Sequence, residues 1–451
     1  MHRIILRSTL ILAMGALYGC ASTGSREDVD RLWTERDQSA LAELAAAARE
    51  APPAPEERPA ARSAPVPPPP PAPPSGPALE IYVFNIGQAD SMLVIGPAPG
   101  RKTLLIDLGK PTGNSKLPPN LGSSAQHVLQ RIEDLTGDSY VDYFVLSHYH
   151  SDHAGFGAGR QQGWGTGIIS LLSDFSIRFK VGEFIHVEDD GAEFMAAGNQ
   201  RGVYKTIQGR MPIWEQYDRV QGSGPPLFGT GQIDLGPGVS VEILAFAGKV
   251  PSGESAFDRV ASAGVDYSVT PGNENDLSIA LEISAGDFEL FTAGDLNGTD
   301  DPIGNPLYVR RPWGEVYTNI EHHLADYWES SGRESDVEIY RANHHGSGYS
   351  TTAKLLGALD PEFILYSTGA DHGHPSNTVV RLGGTTARQL ATTWVTDYTT
   401  FKDAKGERVG EIKIVVASDG STYTINGETH TAFSNSAEEN GDDEGEEDIQ
   451  H

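Results

Sequence analysis

The stretch SHYHSDH, Ser147 to His153, follows directly on the apolar run VDYFVL and places three histidines and an aspartate within six positions. One histidine at the end of a strand is most simply a satisfied core residue. Four nitrogen and oxygen donors at this spacing point to a metal centre. His148 and His150 alternate to one side of an extended backbone, so their imidazoles can meet one ion, while Asp152 and His153 turn back toward a second. The chemistry of such a centre is the activation of water. Cys20 is the only cysteine in the chain, which leaves the body without a disulfide framework or a thiol nucleophile.

Several elements must position this cluster. LEIYVFNIGQADSMLVIG has the apolar pattern of two strands joined near Gly87, and RKTLLIDLGK reads as a third strand ending on Asp107 and Gly109. SSAQHVLQRIEDL is a helical pattern, and VDYFVL returns as a buried strand that empties into the histidines. Polar residues at the carboxyl end of a strand in a strand-helix-strand order are where α/β proteins place chemistry.

The pattern HxHxDH resembles the metallo-β-lactamase superfamily. The resemblance implies an α/β, αββα sandwich of two mixed sheets flanked by helices. It also implies a role for each residue that follows the motif in order. Asp107 in LLIDLG matches an aspartate that supports the site without binding metal. Asp295 in ELFTAGDL matches the carboxylate bridging two ions. His344 and His345 in RANHHGS match the late metal-binding histidine, either of which can be the ligand. FNIGQADSMLV, TLLIDLG, HHGS and HGHPS together look like the metallo-hydrolase domain of ComEC-type DNA-uptake proteins and its stand-alone relatives, which include choline-phosphate esterases. This likeness covers roughly residues 80 to 427 and does not include a multi-span channel.

One position departs from the superfamily. GNENDLSIALEI holds no histidine ahead of the strand leading to Asp295, and Asn275 and Asp276 occupy the vicinity. His186 in EFIHVEDD falls well before the expected place and reads as a loop residue. The donor set fits zinc, with manganese as the alternative because no thiolate is present. Two divalent ions are implied, and occupancy by one is open. By the same resemblance His374 and Ser347 touch substrate or leaving oxygen. Their plainer readings are a turn for His374 and a cap of the next helix for Ser347. His322 and His323 read as surface or core residues of a helix, and Arg310 with Arg311 as a solvated pair.

The remaining sequence sets location and limits. MHRIILRSTLILAMGALYGC has the layout of a secretory signal peptide over residues 1–20, and its last four residues resemble a bacterial lipoprotein box with Cys20 as the lipid-bearing residue. The expectation is a lipid-anchored envelope protein sorted to the outer membrane, facing periplasm or exterior. Residues 21–78 read as a short helix and a spacer, since Ala51 to Pro77 holds thirteen of the 29 prolines. The hydrolase domain is predicted over 79–430 and an acidic disordered tail over 431–451. Residues 155–238 are richer in glycine than two half-sheets require and read as an insertion, with MPIWEQYDRV as a short helix or strand. No protein partner is evident.

The formal net charge of −29 is that of a chain without the basic face that nucleic-acid binding usually needs. Three classes stay open: a phosphodiesterase acting on nucleic acid, a hydrolase of a small surface ester such as a phosphocholine ester, lactone or amide, and a non-catalytic lipoprotein.

Overall fold

The computed structural model of the chain describes residues 76–111, 123–155, 167–187, 199–267, 272–300, 307–310, 314–369, 374–376, 392–395, 406–408 and 410–432. Two units divide the chain, 1–71 and 72–451, and every described residue belongs to the second. The expected signal peptide, Cys20, the proline-rich spacer, Arg311 and the acidic tail from residue 433 onward lie outside the described residues.

The apolar runs become strands where they were expected. β1 (Leu79–Val83), β2 (Met92–Ile95) and β3 (Thr103–Ile106) pair antiparallel, and β4 (Tyr140–Leu146), β5 (Lys180–His186) and β6 (Val220–Gly224) extend the sheet in parallel. β7 (Gly229–Thr230), β8 (Val239–Ala245), β9 (Ala280–Ala285) and β10 (Phe288–Thr292) open a second sheet in antiparallel pairs. β11 (Tyr308–Arg310) and β12 (Val316–Thr318) form a separate ribbon. β13 (Ile339–Arg341), β14 (Phe363–Tyr366), β15 (Thr392–Val395) and β16 (Gly406–Arg408) continue the second sheet in parallel. β17 (Ile412–Val416), β18 (Thr422–Ile425) and β19 (Glu428–Thr431) then return to the first, where β17 pairs with β1. The result is two mixed sheets of nine and eight described strands, ordered β19-β18-β17-β1-β2-β3-β4-β5-β6 and β16-β15-β14-β13-β10-β9-β8-β7.

Period-two alternation decides which face each strand buries. On β10, Leu290 packs into the cluster shared with Leu105 and Phe144 of the first sheet, and Phe291 turns the other way. There it meets Trp328 at 6.0 Å between ring centroids. The core therefore has a central layer between the sheets and outer layers beneath helices. Fully burying side chains such as Phe144 and Phe184, stacked 5.0 Å apart, contributes about 2–3 kcal/mol each.

Helices cover both outer faces. α1 (Ser124–Thr136), α2 (Ser151–Ala154), α3 (Ile168–Ser173) and α4 (Asn199–Gln216) belong to the first half of the chain, and α5 (Ala256–Ser262), α6 (Ile320–Ser330) and α7 (Ala353–Leu359) to the second. α1 starts because Ser123 Oγ accepts from Gln126 N at 3.2 Å, and it stops at Gly137, whose φ is 81°. Its Ala125, Val128 and Ile132 are buried, as the pattern required. No described helix is long and apolar enough to cross a membrane.

Four sequence readings are adjusted. Residues 155–238 are not simply an insertion: β5 and β6 lie within them and complete one side of the first sheet, linked through α4. MPIWEQ is the end of the eighteen-residue α4, with Trp214 fully buried despite Pro212 inside the helix, while Asp218 and Arg219 form the turn into β6. His186 is the last residue of β5 and is buried, not in a loop. The expected boundary at 430 is also exceeded slightly, because β19 runs to Thr431 and Ala432 is buried.

Candidate metal centre

The carboxyl ends of β3, β4, β10, β13 and β14 bring the sequence-predicted donors together. After β4 the chain passes through Ser147 and His148, and the short α2 carries Asp152 and His153. Main-chain bonds seat this loop: Leu108 N donates to His153 O at 2.9 Å, Lys110 N to Ser151 O at 3.0 Å and Asp90 N to Asp152 O at 2.8 Å. Gly109 permits the approach, since a Cβ there would lie 1.5 Å from Asp152 O. Gly294 does the same beside Asp295: its φ is 53°, and a Cβ would lie 2.8 Å from the Ser147 side chain.

Hydrogen bonds behind the rings set which nitrogen faces the centre. Asp107 Oδ2 lies 2.7 Å from His153 Nδ1 and also accepts from Ser147 Oγ at 2.7 Å, while Asp107 Oδ1 accepts from Ser147 N at 2.8 Å. Asp107 is thus committed to support. The single hydroxyl proton of Ser147 goes to Asp107, so His148 Nδ1, 3.1 Å from Ser147 Oγ, is the donor in that pair. His345 Nδ1 donates to Ser367 O at 2.7 Å. His148, His153 and His345 therefore all turn Nε2 toward the centre, the arrangement that orients imidazole ligands.

Those Nε2 atoms converge on Asp295. Its Oδ1 lies 3.0 Å from His153 Nε2 and 3.9 Å from His345 Nε2, and Asp152 Oδ2 lies 3.5 Å from the same His345 nitrogen. Its Oδ2 lies 3.9 Å from His148 Nε2 and 3.9 Å from His344 Nε2. His148 Nε2 and His150 Nδ1 are 3.0 Å apart, close to the roughly 3.3 Å edge between two nitrogen ligands of a tetrahedral zinc ion. Asp295 Oδ1, His153 Nε2 and His345 Nε2 are buried and have no well-formed hydrogen bond. Buried polar atoms in native proteins are otherwise satisfied, so converging donors left in this state fit a divalent cation. His148, His150 and Asp295 form one such set.

Electrostatics follow from burial and proximity. Burial opposes charge on Asp295, but His153, His344 and His345 hold its carboxyl well below the usual range. Asp152 is likewise lowered against its burial by His345 and His153. Burial lowers His148 and His150, and brings His344 down to about 4. His153 goes the other way: burial disfavours its charge, yet Asp295 and Asp107 raise it well above the ordinary value.

The turn after β13 pays in backbone conformation for this placement. His344 and His345 lie in a 3-10 turn, Asn343–Gly346, with φ of 50° and 54°, left-handed values that cost a side-chain-bearing residue about 1–2 kcal/mol each. Two adjacent side chains thereby reach opposite oxygens of one carboxylate. The ring of His374 joins them, with centroids 5.8 Å from His344 and 6.5 Å from His345.

The other expected residues have structural roles. Asp276 sits in the 3-10 turn Glu274–Leu277, accepts from Asn297 Nδ2 at 2.8 Å and Thr318 N at 2.7 Å, and is pushed up to about 7 by burial. It points to these partners and not to the cluster. Asn275, its neighbour, places Nδ2 3.1 Å from His344 Nδ1. Ser347 does not cap the next helix: its Oγ accepts from Tyr349 N at 3.1 Å, and Thr352 Oγ1 caps α7. His186 Nδ1 lies 2.8 Å from Tyr149 Oη, and burial lowers it to about 4. His323 is buried in α6 against Glu254 O, and His322 faces Asp300 at 3.2 Å. Arg310 is exposed on β11 and is not part of the cluster.

Sequence reasoning missed Asp90 and Arg341. Asp90 lies 3.6 Å from the Nδ1 atoms of both His153 and His345. Although its distances suit a ligand set with these residues, those nitrogens are already committed to Asp107 and Ser367 O, so Asp90 stands behind the rings. Its Oδ2 is paired with the buried Arg341, which burial lowers to about 9. Each is the one charged residue in an otherwise uncharged stretch, NIGQADSMLVI and IYRA, and that is the signal by which both could have been found.

No family model matches the chain, and no curated protein matches it. Among solved structures it is similar to a diphosphatase from the PhnP family, at 11% identity and a TM-score of 0.31 over 69% of this chain and 95% of that one. A Thermotoga maritima protein described as a Zn-dependent hydrolase of the metallo-β-lactamase superfamily is 8% identical, with a TM-score of 0.28 over 71% of this chain and 100% of that one. Unliganded yeast PDE1 is 9% identical, with a TM-score of 0.33 over 73% and 90%. Likeness at this level assigns no activity.

Proposed function

We propose that the chain is a metal-dependent hydrolase of the metallo-β-lactamase type that cleaves phosphodiester bonds. The observation that carries this reading is Asp295, which offers one carboxylate oxygen to each of two sets of nitrogen donors. When bound there, a divalent pair, zinc or manganese, supplies Lewis acidity and the means to use water as a nucleophile near neutral pH. Such paired centres serve phosphoester hydrolysis, where charge on both attacking and leaving oxygens must be balanced.

The chain's own residues hold and orient. His148, His150, His153, His345, Asp152 and Asp295 would hold the ions; Asp107 and the carbonyl of Ser367 fix two of the rings. His374, whose ring lies beside those of His344 and His345, would give a proton to the leaving oxygen. Residues 1–78 support an envelope tether through lipidated Cys20, and the ComEC-like motifs support nucleic acid as the phosphodiester. A second reading, a small phosphate or carboxylic ester, draws support from the net charge of −29, which repels long polyanions.

Hydrolysis by the full chain, loaded with zinc or manganese, decides between these readings. Wild type and Asp295→Ala are compared on DNA and on bis(p-nitrophenyl) phosphate, with a chelated control. Metal-dependent loss of DNA supports the nuclease reading. Turnover of the small diester alone supports the second. No turnover of either by metal-loaded protein overturns the phosphodiesterase proposal.

A further inference from the structure

We infer that His344 supplies the third nitrogen of the first metal site, in place of the histidine missing from GNENDLSIALEI, and that Asn297 sets its tautomer. This rests on the two-ion reading above.

The segment that would carry the usual histidine cannot substitute for it. Asp276 is consumed by Asn297 and the backbone of Thr318, and Asn275 meets the ring of His344. His344 instead comes from the far side of the cluster, on the loop after β13. Its Nε2 lies as far from Asp295 Oδ2 as His148 Nε2 does, 3.9 Å in each case. His148, His150 and Asp295 lie within reach of one ion, and His344, which stands outside that trio but turns its Nε2 to the same Asp295 oxygen, would bring the set to three imidazole nitrogens and one carboxylate oxygen. That number and type of donors complete a tetrahedral site. His345 works on the other oxygen, so the pair of adjacent histidines divides between the two ions.

A chain of hydrogen bonds leaves the His344 lone pair where this requires it. Asn297 Nδ2 donates to Asn273 Oδ1 at 3.1 Å and to Asp276 Oδ1 at 2.8 Å, which fixes the orientation of the amide. Its Oδ1 then faces His344 Nδ1 at 3.3 Å and can only accept, so Nδ1 carries the proton and Nε2 the lone pair. Asn275 Nδ2 lies 3.1 Å from the same nitrogen and 3.4 Å from Nε2. With that amide turned over, its oxygen, buried and without a hydrogen-bond partner as placed, accepts there instead. Asn297 is a positioning residue.

The test is metal binding, not turnover. Full chain stripped by chelator is titrated with zinc, and bound metal is counted for wild type, His344→Phe, His148→Ala, His345→Ala, the pairs combining His344→Phe with each of the other two, and Asn297→Leu, with circular dichroism as the check of fold. Wild type is expected to bind two ions. His344→Phe should weaken one of them tenfold or more and leave the other. Adding His148→Ala should cost no second ion, because both residues serve the same site; adding His345→Ala should cost both. Asn297→Leu should weaken the same ion as His344→Phe by about tenfold. Two ions bound by His344→Phe with wild-type affinity overturn this inference alone, and wild type that binds no metal overturns the two-ion reading with it.

Discussion

Asp107 Oδ2 and His153 Nδ1 lie 2.7 Å apart in a fully buried contact, Asp107 directly after β3 and His153 in α2, beyond the carboxyl end of the parallel neighbour β4. The ring of His153 owes its orientation to that carboxylate. Asp107→Asn keeps the shape but replaces a charged acceptor by an amide that can also donate. Metal affinity is expected to fall about 10–100-fold with the fold retained, measured by zinc titration beside a melting curve.

Arg341 and Asp90 form a buried ion pair beneath the cluster. Removing one partner leaves an uncompensated charge in the interior, which costs about 3–5 kcal/mol. Arg341→Met should lower the unfolding free energy, measured from denaturant titrations, by that amount. The double change Arg341→Met with Asp90→Asn should recover part of it, since no lone charge then remains. A single variant as stable as wild type would show that the pair contributes nothing.

Gly109 leaves no room for a side chain against Asp152 O. Gly109→Ala forces the loop between β3 and α1 away from the backbone of α2, displacing Asp152 and His153 together. Loss of metal binding is expected with most of the secondary structure intact, read by zinc titration and far-ultraviolet circular dichroism. Gly137→Ala disturbs a helix end far from any donor and should leave binding unchanged.

Glu289 on β10 lies far from the metal cluster, in a group with Glu282, Asp336 and Arg333. Burial, then the charges of Glu282 and Asp336, push it from 4.5 up to about 7. A carboxyl raised in the folded state binds its proton more tightly there than in the unfolded chain. Its contribution to stability is complete below pH 4.5 and is lost as pH rises through 7. Glu289→Gln should therefore melt above wild type at pH 8 and match it near pH 4.5. Parallel melting curves across that range would refute the assignment.

The strands and the HxHxDH cluster were legible because each depends on local pattern: apolar runs of strand length, then donors at period two. Asp107, Asp295, His344 and His345 were named through order along the chain, and the structure brings all four to one place. What escaped was long-range. Asp90 and Arg341 meet across the two sheets, and nothing within ten residues of either predicts the other. Ser347 was read as a helix cap because a small hydroxyl precedes a helical stretch, yet Thr352 is the residue that sits at the start of α7. His186 reads as a loop residue because it falls well before the place expected for the missing histidine, whereas pairing with β4 carries β5 through that residue. Cofactor placement shows the same limit: sequence supplied the donors, and tertiary hydrogen bonds choose which nitrogen each one presents.

The return of β17 to the side of β1 pairs Leu79 with Val416. During synthesis the amino-terminal strand of the domain has one neighbour, β2, within reach at once, and the other only after almost the whole domain has left the ribosome. Until then β1 exposes a row of unpaired amides and carbonyls, a template for association with other chains. The last hairpin is thus a latch: a nascent or truncated chain ending before residue 412 is expected to be aggregation-prone, however complete its metal ligands.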